Sequence, residues 1–172
     1  AMAIEEPKYD VLLTEGSFEV RKYAPQLIAE TVVSGDMDEA SNKGFRLIAD
    51  FIFGNNQVAG TDQAARIPMT APVTVEPQSA RIAMTAPVLQ ETRGEETHTV
   101  SFVLPAGMTI ADVPLPSNAR VSTKHVTAHD AAVMKFGGGW NGDRFQENGD
   151  ALQKMVHEAG LNAVGNVYFA RF

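Results

Sequence analysis

Arg66–Val73 reads RIPMTAPV, and after a gap of seven residues Arg81–Val88 reads RIAMTAPV. The two near-copies, each with proline inside, set the first question about the fold. A turn between Gln78 and Ser79 would place residue i opposite residue 157 − i. Val75 then faces Ile82, Val73 faces Met84, Ala71 faces Ala86 and Met69 faces Val88, an all-apolar face by the period-two rule. The other face carries Pro68, Thr70, Pro72 and Thr74 against Leu89, Pro87, Thr85 and Ala83. Pro68 and Pro72 remove amide donors from one strand edge and Pro87 from its partner, so these strands are expected to be bent and only partly paired. Two readings stay open: a core hairpin in which Met69 and Met84 fill irregular space, or a bent sheet face that walls an apolar pocket.

Outward from this pair, the N-terminal side shows strand patterns. Val11–Leu13 and Phe18–Tyr23 flank a turn at Glu15-Gly16-Ser17. Leu27–Val33 follows Pro25, with Leu27, Ala29, Thr31 and Val33 alternating against Ile28, Glu30 and Val32. A helix comes next. Ser34 or Asp36 caps it, Asp38 and Glu39 suit its positive end, and Gly54-Asn55-Asn56 stops it. Its apolar stripe takes in Met37, Ala40, Phe45, Ile48 and Ile52, widened by Leu47 and Phe51. Gly44 either weakens the helix middle or admits a close neighbour.

On the C-terminal side, His98–Leu104, Val121–Val126 and Ala131–Phe136 read as strands. A second helix spans about Asp143 to Ala159, with Phe145, Leu152, Met155, Val156 and Ala159 on one side. Asn166–Phe172 reads as a last strand. Helices flanked by strands on both sides imply an α+β domain with a largely antiparallel sheet.

Composition bounds the function. The 172 residues are 44% hydrophobic and 20% charged, enough for one domain over 1–172 with a proper core. No apolar run approaches the ~20 residues of a membrane helix. The absence of cysteine removes disulfides, thiolate metal sites and cysteine nucleophiles. A net charge of −7 with scattered basic residues argues against nucleic acid. Ala1-Met2-Ala3 reads as a tag remnant, which leaves the compartment open between cytoplasmic and exported.

Motifs for catalysis are weak. There is no G-x-S-x-G elbow and no H-E-x-x-H pair. His98, His125, His129 and His157 read as solvated surface residues, with axial iron ligation as the sharper alternative. Gly137-Gly138-Gly139-Trp140 is a hinge or the flank of a pocket mouth, and it lacks a phosphate-loop frame. Glu19 and Glu30 fall at strand positions from which they could meet across a barrel interior.

The doubled I-x-M-T-A-P-V, the E-V-R-x-Y of Glu19–Tyr23, the D-x-D-E-A of Asp36–Ala40 and the F-G-x-N of Phe53–Asn56 together resemble the SOUL heme-binding protein family. The stretches SFVLPAGMTIADVPLPSNARV and AVMKFGGGWNGDRFQENGDALQKMVHEAGL extend the likeness over nearly the whole chain. The resemblance implies a pseudo-two-fold, distorted antiparallel β-barrel flanked by two long helices, similar to regulator effector-binding domains. It also implies non-covalent binding of heme or a related tetrapyrrole against the first helix, with basic side chains for the propionates. Matched by position, those basic places fall at Asn42 and Asp50, neither of which is basic, and Lys43 and Arg46 stand nearby. Relatives continue past the Tyr168–Phe172 position with a Pro-rich loop and a further strand, which this chain is expected to lack.

The expected function is therefore a non-catalytic binding protein. Its groove would be walled by Asn42, Lys43, Phe45, Arg46, Ala49 and Asp50 of the first helix and by Met69 and Met84 of the paired octapeptides, with Arg66 a further propionate partner. The alternative is a sensor or carrier module for other hydrophobic small molecules.

Overall fold

The alternation in Leu27–Val33 becomes β3, Gln26–Ser34, and it decides where the core lies. Leu27, Ala29, Thr31 and Val33 are buried, whereas Val32 on the opposite face is about half exposed. The structure is a computed structural model and describes residues 6–68, 70, 73–77, 96–136, 142–164 and 167–171. In chain order the other elements are β1 Tyr9–Glu15, β2 Phe18–Tyr23, α1 Met37–Ile52, β4 Asn56–Gln57, β5 Val73–Pro77, β6 Thr97–Val103, β7 Leu115–Pro116, β8 Ser122–Val126, β9 His129–Met134, α2 Gly142–Glu158 and β10 Phe169–Arg171.

The described strands form a five-stranded antiparallel sheet in the order β10-β5-β6-β3-β8, a three-stranded sheet β1-β2-β9, and a short β4-β7 pair. The two larger sheets are joined by one bent ribbon. β2 pairs with β9 and β3 pairs with β8, and in both pairings residue i faces residue 152 − i: Tyr23 meets His129, and Gln26 meets Val126. The ladder breaks at Ala24-Pro25 opposite Thr127-Ala128. Pro25 has no N–H to offer there, and the Ala24 N–H turns to the Lys8 carbonyl at 3.1 Å.

α1 packs across β3, β5 and β6. Asp36 is its N-cap, its Oδ1 accepting from the Glu39 N–H at 2.9 Å, and Asp38 and Glu39 occupy the first turn. Under its C-terminal half lie Leu27, Ala29, Phe102 and Leu104; under its N-terminal half lie Val33, Val75 and Val100. Gly44 settles the choice left open above. A Cβ there would overlap the Val100 side chain, so the glycine admits the sheet close to the helix. α2 packs against β9, and its Phe145 reaches the cluster under the N-terminal half of α1.

Four expectations are corrected. Phe45 is 45% exposed and not part of the buried stripe; the inward direction runs through Gly44, Ile48 and Phe51 instead. Ala159 is exposed beyond the end of α2. The strand expected at Ala131–Phe136 starts two residues earlier, where the register of the ribbon places it. Val73 and Val75 do not face Met84 and Ile82 across a hairpin. β5 has β6 on one edge and β10 on the other, with Val75 opposite Val100 and Phe169. The second octapeptide, Met69 and Trp140 lie outside the described residues. A closed barrel is not found among the described strands; they are distributed over the three sheets.

Around Pro68 the first octapeptide agrees with the expectation of partial pairing, and Pro72 and Pro87 lie outside the described residues. Residues 66–68 belong to no strand, Thr70 makes an isolated bridge, and β5 covers Val73–Pro77. No helix among the described residues is long and apolar enough to cross a membrane.

Candidate functional site

The outer side of α1 is unusual for its apolar content. Phe45, Ala49 and Phe53 are four residues apart and so share one row along the helix. Phe45 and Phe53 are 45% and 55% exposed, and Ala49 is half-buried. The row is about 12 Å long at the helical rise. Asn42 and Arg46 are exposed beside it.

The helix ends at Phe53, whose N–H still bonds the Ala49 carbonyl at 2.9 Å. Gly54 then turns the chain at φ +130°, a conformation that L side chains rarely adopt. The following segment folds back onto the helix end through Asn56. This buried side chain donates from Nδ2 to the Phe51 carbonyl (2.7 Å) and to the Ala65 carbonyl (2.8 Å), and its Oδ1 accepts from the Ala65 N–H (2.8 Å). The Ile67 N–H adds a bond to the Ile52 carbonyl at 2.8 Å, and the Ile67 side chain is buried in the core.

Residues 65 and 67 are thus both fixed against the end of α1, and Arg66 between them is exposed. Its guanidinium carbon sits 5.4 Å from the centre of the Phe53 ring, within cation–π range. Phe53, Arg66, Ile67 and Pro68 line a shallow, largely open depression of about 290 Å³. This hollow lies between the C-terminal end of α1 and the first octapeptide, mainly apolar with a cation at its edge.

The eight residues expected at the site fall into three groups. Phe45 and Ala49 belong to the exposed row, with Asn42 and Arg46 alongside. Lys43 and Asp50 are exposed but engaged: the Lys43 ammonium donates to the Ser34 carbonyl at 3.1 Å, at the far end of the helix from the cavity, and the Asp50 carboxylate accepts from the Asn55 amide. Met69 and Met84 lie outside the described residues. Phe53, Asn56, Ile67 and Pro68 were missed. The available signal was the continuation of the four-residue spacing from Ala49 to Phe53.

The histidines separate in the same way. His98 is 4% exposed, against the expectation of a solvated residue, with Nδ1 3.1 Å from the Gly35 carbonyl. It lies on the face of β6 that also carries Val100 and Phe102, and α1 covers that face. His125 and His157 are exposed. His129 is half-buried, its ring stacked 5.6 Å from that of Tyr23. None of the four is on the Phe45–Phe53 row.

Glu19 and Glu30 each find a cation in their own sheet rather than each other. Glu19 bonds the buried Arg21 at 2.8 Å and lies 3.5 Å from Lys135. The hydrogen bond from Arg21 holds the Glu19 carboxyl below its usual range. Arg21 also donates to the Tyr23 hydroxyl at 2.9 Å and stacks over the Tyr9 ring at 4.2 Å. Glu30 pairs with Lys124 at 3.2 Å. These acids act as structural ion pairs.

Comparison with known families decides the relationship: the family described as SOUL heme-binding protein matches residues 4–172. The chain belongs to the SOUL heme-binding protein family. No curated protein matches it. Membership in the SOUL family makes heme or another tetrapyrrole the ligand class against which the site is to be judged.

Proposed function

We propose that this SOUL-family protein binds heme or a related tetrapyrrole reversibly and without catalysis, in a groove between α1 and the first M-T-A-P segment. The observation that carries the reading is the exposed Phe45–Ala49–Phe53 row, whose last residue lines the open apolar depression with Ile67 and Pro68. Phe45, Ala49 and Phe53 meet one face of the ring. Asn42, Arg46, Lys43 and Asp50 form the polar margin. Apolar area supplies most of the affinity, at about 25 cal/mol per Å² before the costs of association. In this reading the groove sits on a pseudo-two-fold, distorted barrel flanked by two helices, like regulator effector-binding domains, in which the bent β2–β3 and β8–β9 ribbon joins the two larger sheets. A net charge of −7 fits a small-molecule partner better than nucleic acid.

A second reading is a carrier or effector-sensing module for other hydrophobic ligands. Asp50 favours it, because a carboxylate in the last turn of α1 opposes an acidic ligand.

Hemin titration of the purified protein, followed by the Soret band, tests the proposal. The expected result is saturation at one equivalent, with Phe45→Ser and Phe53→Ser each weakening affinity about tenfold through lost apolar contact. Absorbance that rises without saturating, or affinity indifferent to both substitutions, would exclude heme from this groove.

A further inference from the structure

We infer that the sheet face turned away from α1 carries a second ligand site, built on Glu76 and Tyr168, that takes an organic cation. The inference does not rest on the tetrapyrrole reading, since the five-stranded sheet separates this face from the α1 groove.

The register of the sheet assembles the site. Val75 lies under α1, so Thr74 and Glu76 of β5 point to the other side. Glu76 faces Thr99 and Thr74 faces Ser101 on β6, and Ser101 faces Glu30 on β3. At the other edge of β5, the pairs Phe169↔Val75 and Ala170↔Thr74 continue to Tyr168 opposite Glu76. A carboxylate, an aromatic ring and a set of hydroxyls therefore share one surface. Tyr168 is 44% exposed and Glu76 is half-buried. Burial of the Tyr168 hydroxyl, and then the nearby Tyr23 and Glu76, push that hydroxyl up, which sets it between β5 and β2.

Glu76 differs from the other acids around it. Glu30 holds the Lys124 ammonium at 3.2 Å, and Glu19 holds the Arg21 guanidinium at 2.8 Å. Among the described residues Glu76 forms no ion pair; Lys124 attracts it from a distance while bonded to Glu30, and Glu30 repels it. A partly buried acid in this state costs stability that a glutamine of the same size would not. What the face gains is an unmatched negative charge beside an exposed aromatic ring, the two features that recognise an ammonium group. A metal ion asks for more, and no group of three or more His, Asp or Glu that could hold one occurs among the described residues. The ligand class is an ammonium with apolar substituents, its charge on Glu76 and its apolar part on Tyr168.

The experiment titrates the intact protein with benzyltrimethylammonium and with uncharged benzyl alcohol, following backbone amide shifts. The cation is expected to saturate at one equivalent, about tenfold or more tighter than the alcohol, with shifts at residues 74–76, 99–101 and 168. Glu76→Gln, which should fold at least as stably, lowers the cation's affinity about tenfold and leaves the alcohol's unchanged. Tyr168→Leu weakens the cation by a smaller factor, about threefold. Equal affinity of the wild type for both probes overturns the site, and so does a cation affinity that Glu76→Gln leaves unchanged. Shifts confined to α1, or no saturable binding of the cation, overturn it as well. None of these outcomes bears on hemin binding at α1, so the two readings fail separately.

Discussion

Along α1 the inner and outer sides both carry large apolar residues, and only the inner side buries them. Ile48, Phe51 and Ile52 are no more than 2% exposed, and Gly44 lets Val100 press against the helix. Phe45 and Phe53 stand half in solvent. Scattered exposed apolar residues need no explanation; this row is the surface to which the proposal assigns the ligand. The difference separates what stabilises the helix from what the helix offers to a partner. The inner row is tuned by contact distance, the outer row by access.

The largest effect should come from the inner row. Ile48→Ala is expected to cost about 2–5 kcal/mol of unfolding free energy, against less than about 0.5 kcal/mol for Phe45→Ala. Denaturant titration of both variants measures the contrast, and similar losses would break it.

Gly44→Ala gives the next largest effect and an unusual sign. Alanine ordinarily gains about 1 kcal/mol over glycine inside a helix. Here the added methyl meets Val100, and overpacking is expected to cost about 1–3 kcal/mol. Thermal unfolding of Gly44→Ala alone and together with Val100→Ala checks this. A stabilised single variant, or no recovery in the double variant, would contradict the close approach.

The smallest effect lies on the sheet face turned away from α1. Val75 packs under the helix, and its neighbour Glu76 points to the other side, where burial pushes its carboxyl up. A raised folded value means that ionisation costs stability as pH rises through it. Glu76→Gln should therefore raise Tm near neutral pH, within about 2 °C. The gain should vanish below the ordinary carboxylate range. A Tm difference that grows on acidification would reverse the assignment.

Much of this contrast was legible in the sequence where the causes are local. The alternation of Leu27 to Val33, the Asp36 cap and the Gly54 stop each depend on a few neighbouring residues, and each appears where the pattern put it. The apolar content of the helix was legible too, but not its division between two sides, because Phe45 lies at the edge of the stripe and only packing against β6 decides which way the edge faces. Contacts between distant residues were harder to read. His98 is buried through Gly35, Asn56 grips Ala65, and β5 lies between β6 and β10. Repeated sequence suggested that the two copies pair with one another, yet the sheet satisfies Val73 and Val75 with strands from elsewhere in the chain. For the candidate site, Phe45, Arg46 and Arg66 were named from the sequence and are exposed in the structure, whereas the Asn56 clamp on Ala65 has no periodic signature.

The most direct test of the outer row as the ligand surface is a map of backbone amide shifts on adding metal-free protoporphyrin to isotope-labelled protein. The account predicts changes concentrated at Phe45–Phe53 and at residues 65–67, saturating at one equivalent. Changes centred instead on β1 and β2, or spread evenly without saturation, would contradict it.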